Sequence, residues 1–430
     1  MFSDKKVIIP VQMVAFFDGI QERMETMKQS IRLIVAVFGI MLCSQLASAE
    51  SKSYPGTDGQ YAARNIIFMV PDGMGLSGVT AARVFKNGCN GEPLHMETLP
   101  QIGYQRTHSA NSTVTDSAAA TSAWACGEKY RNGEISCHDD DGDGQCNDPV
   151  IPTILEMAKQ EGKATGLVVT STITHATPAA WGAHVHSRKC ETEIARQYIE
   201  KTGIDVLLGG GIGPDKRSSC QKPSPIKAAD LIAKTQSDYG YTYVTTKSGL
   251  DKAAQGEKSK VLGIFRKKGK TPETYRVDRN LSYPKEEPTL PHMTAAALDI
   301  LEKDRDGFFL MVEGSQIDWA NHANDIRYQI GETLAFDEAV KVVLDWIEKS
   351  PERKNHTLLV IVADHDCGGF AANGPVDRLS RAGDVVEAGW TSGGHTAVDT
   401  VIWSYGPGSQ ELGKALDNTD LFKVMAGVLH

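Results

Sequence analysis

Six almost uninterrupted apolar runs, at 65–70, 164–170, 206–208, 308–312, 357–362 and 397–404, recur along this chain. A strand covered on both faces carries apolar side chains at nearly every position instead of every second one. Such strands require layers above and below the sheet. The stretches 77–86, 117–126, 152–160, 194–201, 293–303 and 330–349 have the composition and spacing to supply them as helices. This alternation predicts an α/β fold with a doubly wound, mostly parallel central sheet and helices on both faces. No internal repeat or linker divides residues 50–430, so one domain is expected there. Residues 221–290, rich in Lys, Thr, Pro and Gly, read as an insertion running over one edge of the sheet.

The formal net charge of -9 argues against nucleic acid as a specific partner, because such proteins usually display a basic surface. Near the N-terminus, Lys28 and Arg32 precede an apolar stretch at 33–42, and Ala47-Ser48-Ala49 offers a small-residue cleavage site. That pattern reads as a signal peptide over 27–49, with 1–26 an upstream extension or a misassigned start before Met27. Leu42-Cys43 lacks the small residue that precedes a lipidated cysteine, which favours cleavage after Ala49. No other stretch is long and apolar enough to span a membrane. A periplasmic or secreted protein with no membrane span after cleavage is expected. Loss of Cys43 from the eight cysteines leaves seven, so one thiol should stay free in an oxidising compartment. Cys137 with Cys146 and Cys190 with Cys220 are the expected pairs, and Cys126 the expected buried thiol, although sequence alone leaves the connectivity open.

Several apolar runs end in residues suited to chemistry. The first leads into Asp72-Gly73-Met74-Gly75, and the fourth into Glu313, with Asp318 and His322 close behind. The fifth leads through Ala363 to Asp364-His365, and Ser392-Gly393-Gly394-His395 precedes the sixth. Open α/β sheets bind ligands beyond the carboxyl ends of their strands. Asp318 and His322, four apart, share one face of a helix or turn. Singly, an Asp after a strand is usually a turn former or a helix cap. Together these seven side chains can hold several divalent cations, mixed imidazole and carboxylate sets suiting zinc and all-oxygen sets magnesium. In Thr115-Asp116-Ser117-Ala118-Ala119-Ala120, Ser117 falls near a helix N-terminus, where backbone amides stabilise an alkoxide and a phosphate oxygen. A plain cap is the competing reading of Asp116 or Ser117. The absence of Gly-x-Ser-x-Gly weighs against a hydrolase nucleophile elbow.

Taken in order, Asp72-Gly-Met-Gly, Thr115-Asp-Ser-Ala-Ala-Ala, His175-Ala-Thr177-Pro, Ser187-Arg188, Glu313-Gly-x-x-Ile-Asp318-x-x-x-His322, Asp364-His365 and Gly394-His395-Thr closely resemble the alkaline phosphatases, from about 64 to 408. The resemblance implies a phosphomonoesterase acting on small-molecule phosphate monoesters, with two zinc ions and one magnesium per subunit, and a homodimer. It makes Ser117 the nucleophile that forms a phosphoserine, Arg188 the phosphate clamp and Asp116 the residue orienting that arginine. Asp318, His322 and His395 match one zinc set, and Asp72, Asp364 and His365 the other. Asp72, Thr177 and Glu313 match the magnesium set. His175 and Trp319 depart from the enterobacterial pattern, which has Asp and Lys there, and resemble marine bacterial members. This leaves the third metal and the grip on phosphate as the variable features. A sulfatase-like relative would need a Cys/Ser-x-Pro-x-Arg context, which Ser117 lacks. A catalytically silent binding protein fits poorly with retention of every one of these residues. Separately, Asp139, Asp141, Asp143 and Gln145 occupy alternate positions of a calcium-type loop. Val150 stands at the twelfth place, and a solvated acidic loop closed by a disulfide accounts for the same residues.

Overall fold

The computed structural model describes residues 62–147, 149–274 and 284–429. The expected signal peptide at 27–49 and the stretch 1–26 lie outside them. Strands follow in chain order as β1 (Asn65–Val70), β2 (Gln101–Arg106), β3 (Ala164–Thr172), β4 (Val206–Gly210), β5 (Thr242–Val244), β6 (Val261–Ile264) and β7 (Phe308–Glu313). They continue as β8 (Thr357–Val362), β9 (Asp366–Cys367), β10 (Phe370–Gly374), β11 (Glu387–Trp390), β12 (His395–Thr396), β13 (Thr400–Tyr405) and β14 (Ala415–Asp417). Ten of these form one sheet in the order β14-β2-β13-β8-β1-β7-β3-β4-β6-β5. From β8 to β5 every neighbouring pair is parallel, and β13 runs antiparallel to both β8 and β2. The doubly wound, mostly parallel α/β sheet is therefore present.

The apolar runs become the middle of the sheet because each of their side chains has a layer to enter. Every residue of β1, β7 and β8 is buried. Alternation along β1 sends Ile66, Phe68 and Val70 into one core and Ile67 and Met69 into the other. Phe68 meets Trp124 and Trp181 at ring-centroid distances of 5.1 and 5.0 Å, on helices Ser117–Cys126 and Ala176–Gly182. Truncating such a side chain to alanine typically costs about 3–5 kcal/mol. The opposite core is built on helices Leu290–Leu301 and Ile326–Glu348.

Two expectations need correction. Residues 221–290 do not run over the edge of the sheet; they extend it. Val261-Leu262-Gly263-Ile264 pairs in parallel with β4 and then with β5, and helices Ala228–Ser237 and Lys247–Gln255 flank these strands. Most of the lysines of these short amphipathic helices face solvent, while Thr235 is buried. The cysteine count also differs. Cys137–Cys146 and Cys190–Cys220 are bonded, but three thiols are free among the described residues: Cys89, Cys126 and Cys367. Cys126 lies in helix Ser117–Cys126 and Cys367 in β9, while Cys89 lies in a turn. No helix among the described residues is long and apolar enough to cross a membrane.

Helix Ile154–Gln160 is tied down by a half-buried pair. Glu156 Oε2 accepts from Thr153 N at 3.0 Å and lies 2.9 Å from His184 Nε2. Burial opposes the His184 cation, but Glu156 outweighs it and raises the imidazole above its ordinary 6.5. Burial likewise opposes the Glu156 anion, and His184 outweighs it, holding the carboxyl below its ordinary 4.5. The His184 contribution is complete below its unfolded value and is lost as pH rises through the folded one. The Glu156 contribution is lost as pH falls through its folded value. A His184→Gln variant should therefore lose more thermal stability relative to wild type at about pH 6 than at about pH 9. Equal losses in calorimetric melts at both pH values would contradict this account.

Candidate active site

Parallel register brings carboxylates together. Val70 of β1 and Val169 of β3 both stand level with Glu313, and β8 lies on the other side of β1. Asp72, Glu313 and Asp364 thus emerge side by side at adjacent carboxyl ends, and none of the three is exposed. The turn after β1 depends on Gly73, whose φ of 68° is in the left-handed region. Its amide donates to Asp364 Oδ1 at 3.1 Å, and its carbonyl accepts from Asn321 Nδ2 and from the Cys367 amide. A Cβ at this glycine would sit 2.7 Å from Asp318 Oδ1 and 2.9 Å from Asp318 Cα.

Helix Gln316–His322 follows β7 at once and presents Asp318 and His322 on one face, Asp318 Oδ2 being 3.4 Å from His322 Nε2. His395 approaches from β12, its Nε2 3.5 Å from Asp318 Oδ1. A backbone carbonyl can only accept, which settles both tautomers. His322 Nδ1 donates to Gly393 O at 2.8 Å and His395 Nδ1 to Thr115 O at 2.9 Å, so each Nε2 is left with its lone pair. His365 stacks on His395 at 3.6 Å and lies 3.0 Å from Asp364 Oδ2 and 3.8 Å from Asp72 Oδ1. Ser117 begins its helix with Oγ 3.4 Å from His365 Nε2. Asp116 caps that helix, one oxygen accepting from Ala119 N at 3.0 Å and the other from Arg188 Nη1 at 2.9 Å. Burial disfavours the Asp116 anion, yet Arg188 outweighs it and holds the carboxyl below its usual range.

The charge of this cluster is unbalanced. Burial first, then the charges of Asp364, Asp318 and Glu313, pushes Asp72 far above the usual carboxylate range. Burial pushes Glu313 up to about 7, with Asp364 adding to it. Both oxygens of Asp72 and of Glu313, with Thr177 Oγ1 and Asp318 Oδ1, are buried without a hydrogen-bond partner. Orphaned groups of this kind are costly and uncommon in a core. Divalent cations fit the donor sets. Potential ligand atoms lie within 4.8 Å of one another in Asp72, His175 and Glu313; in Asp72, Asp318 and His365; and in Asp318, His322, Cys367 and His395.

The expected site residues, His175 and Trp319 among them, are thus gathered at one end of the sheet, with one addition, Cys367. His175 joins Asp72 and Glu313; burial, then Arg188 and Lys189, lowers its pKa to about 3, so the ring stays neutral. Its Nε2 is 3.5 Å from Arg188 Nη2, and Trp319 meets it edge-on at 6.2 Å. Trp319 in turn packs where a side chain on Gly269 would stand. Cys367 is the donor that sequence reasoning missed. Its only local signal is its place three residues after Asp364; the pairing of β9 with β12 is what brings it in. Asp139, Asp141 and Asp143 also approach within 4.8 Å of one another. The Gln145 side chain is turned onto Asp143.

A buried serine at a helix N-terminus, an arginine anchored beside it and three overlapping cation-type donor sets thus meet at one end of the sheet. The alkaline phosphatase family model matches residues 63–383, and the chain belongs to that family of phosphoric monoester hydrolases. It is 34% identical to alkaline phosphatase 3 of Bacillus subtilis, over 88% of this chain and 90% of the relative. Against the Escherichia coli alkaline phosphatase the identity is 33%, over 85% and 86%. The alkaline phosphatase of the Antarctic bacterium TAB5 superposes with a TM-score of 0.69 at 29% identity, covering 86% of this chain and 98% of that one. A histidine-to-aspartate mutant of the TAB5 enzyme has been solved with Mg bound in its M3 site.

Because a methyl group at Gly73 would collide with Asp318, Gly73→Ala should lower kcat/KM for a monoester by about 10–100-fold, as displaced metal-site neighbours commonly do. The circular dichroism spectrum should stay that of wild type. Unchanged kcat/KM would show that Asp318 tolerates displacement.

Proposed function

We propose that this chain is an exported, metal-dependent phosphomonoesterase that works through a phosphoserine at Ser117. The observation that carries the proposal is the placement of Ser117 Oγ at a helix N-terminus, 3.4 Å from His365 Nε2, with Arg188 fixed by the adjacent Asp116. Asp318, His322 and His395 would hold one zinc ion; Asp72, Asp364 and His365 a second; and Asp72, Thr177 and Glu313 magnesium, with His175 beside it. When bound, these cations would lower the pKa of the serine hydroxyl and of a water and neutralise charge on the attacking and leaving oxygens.

Ser117 Oγ attacks phosphorus and gives its proton to solvent as the Oγ–P bond forms, while the ester P–O bond breaks and the departing oxygen takes a proton from solvent. Arg188 keeps Nη1 on Asp116, which leaves its remaining N–H groups to bridge two phosphate oxygens, a task for which a lysine has the wrong shape. The amides at the start of the Ser117–Cys126 helix face the same phosphate. Water then breaks the serine–phosphorus bond and regenerates Ser117. Neutral His175 adds no repulsion to a cation held by Asp72 and Glu313, and Mg in the M3 site of the TAB5 mutant supports a third cation position. Export rests on the leader-type sequence at 27–49, and a homodimeric state rests on the family alone. Small-molecule monoesters are the substrate class. The chain is also 32% identical to the streptomycin-6-phosphate phosphatase of Streptomyces griseus, over 92% of this chain.

Ser117→Ala should reduce hydrolysis of a generic aryl monoester by about 10³-fold or more, with diester hydrolysis negligible in both proteins. Retention of monoesterase activity in Ser117→Ala would remove the phosphoserine. Chelation should abolish activity and zinc plus magnesium restore it. Calcium should restore none but raise the thermal midpoint through Asp139, Asp141, Asp143 and the Gln145 carbonyl; no thermal shift would remove the calcium role. Trp319 places no charge near Arg188, so Trp319→Lys should tighten inhibition by inorganic phosphate about 5–10-fold, the effect of one added, partly screened cation. Unchanged inhibition constants would show that position 319 does not govern product retention.

A further inference from the structure

Among the described residues, Cys367 is a donor in this region that, like His175, the expected zinc and magnesium sets leave out. It is fully buried in β9. Antiparallel pairing of β9 with β12 places it directly opposite His395. Directly opposed residues send their side chains to the same face, with Cβ atoms about 4.5–5.5 Å apart. From the other side, helix Gln316–His322 supplies Asp318 and His322. Cys367 Sγ, one Asp318 oxygen and one ring nitrogen each of His322 and His395 lie within 4.8 Å of one another. Tetrahedral ligands with zinc bonds of about 2.0–2.3 Å lie roughly 3.3–3.8 Å apart, so contraction by roughly an ångström suffices to close the set.

Two observations besides the cysteine aim this pocket at a cation. Asp318 is 5% exposed, and its Oδ1 has no hydrogen-bond partner. Both imidazoles commit Nδ1 to backbone carbonyls, and both Nε2 atoms approach the Asp318 carboxylate. The thiol itself has only a 3.8 Å contact to the Asp318 carbonyl.

We propose that Cys367 is a fourth ligand at the Asp318–His322–His395 site, completing a set of two imidazoles, one carboxylate and one thiolate. The inference rests on reading those three residues as a metal site. Binding exchanges the S–H bond for a metal–sulfur bond and releases the proton to solvent, with no change of oxidation state. Two consequences follow. Four protein donors leave no open position, so a reacting oxygen enters by expansion to five ligands or by displacing sulfur. A thiolate also biases the site toward zinc and cadmium and against magnesium.

The test is cobalt(II) loading of the chelator-treated protein, read by absorption and not by activity. Visible d–d bands report cobalt in the imidazole–carboxylate set, and a near-ultraviolet sulfur-to-cobalt charge-transfer band reports a thiolate ligand. Cys89→Ser removes the exposed thiol and should show both signals. Adding Cys367→Ser should abolish the charge-transfer band, keep the visible bands and weaken cobalt binding by at least about 10-fold. Visible bands without charge transfer in Cys89→Ser would overturn the sulfur ligand while leaving the metal site standing. Charge transfer that survives Cys367→Ser would also overturn it. Absence of visible bands from the wild-type protein would overturn both. The decisive spectrum comes from protein that retains Cys367, so poor folding of Cys367→Ser would not shelter the idea.

Discussion

Everything at the functional end of this molecule follows from concentrating buried carboxylates where three parallel strands end. Asp72, Glu313 and Asp364 sit at neighbouring carboxyl ends, fully buried, with Asp318 close above them. Like charges in a medium of low dielectric cannot coexist uncompensated. The chain answers part of that charge itself. Burial would raise the Asp364 carboxyl, but the His365 cation and the Gly73 amide reverse this and hold it low. Asp72 receives no such help, the neighbouring Ser315 and Thr177 hydroxyls offset burial only in part at Glu313, and both carboxyls rise. The unbalanced remainder is negative charge that divalent cations fit.

The supporting structure keeps those groups aimed. Backbone carbonyls of Gly393 and Thr115 fix the tautomers of His322 and His395. Gly73 lets the backbone pass where a side chain would strike Asp318. Asp116 joins two parts of the site, because one carboxylate both caps the Ser117 helix and holds Arg188. Rigid strands place these groups, and short turns deliver them. Orientation of this kind is inexpensive only when large cores lie underneath, as they do on both faces of β1.

Much of this was legible in the chain. β1, β7 and β8 could be read because both their faces are covered, and a doubly covered strand writes itself as an unbroken apolar run. β2 was not legible: its outer side chains Ile102 and Tyr104 are exposed and its inner ones are Gly103 and Gln105, which blurs the alternation. β5 and β6 were hidden by the polar helices around them. The candidate ligands were readable because strand-end Asp, Glu and His stand in recognisable motifs. Cys367 was not, since its membership depends on pairing between two-residue strands that carry no sequence period.

The sequence by itself determined the strand and helix alternation, the sheet class, the nucleophile motif and the identities of most donors, because these are local properties of composition and spacing. Tertiary structure alone decided which donors lie close enough to one another to share a cation. Separations of 3 to 4 Å between residues such as Asp318 and His395 arise from strand order and register, which bring distant segments together. It also decided that Asp72 and Glu313 are orphaned, that His175 is neutral and that a cysteine faces the Asp318 site. Burial and mutual distance set those properties, and neither is encoded at any single position.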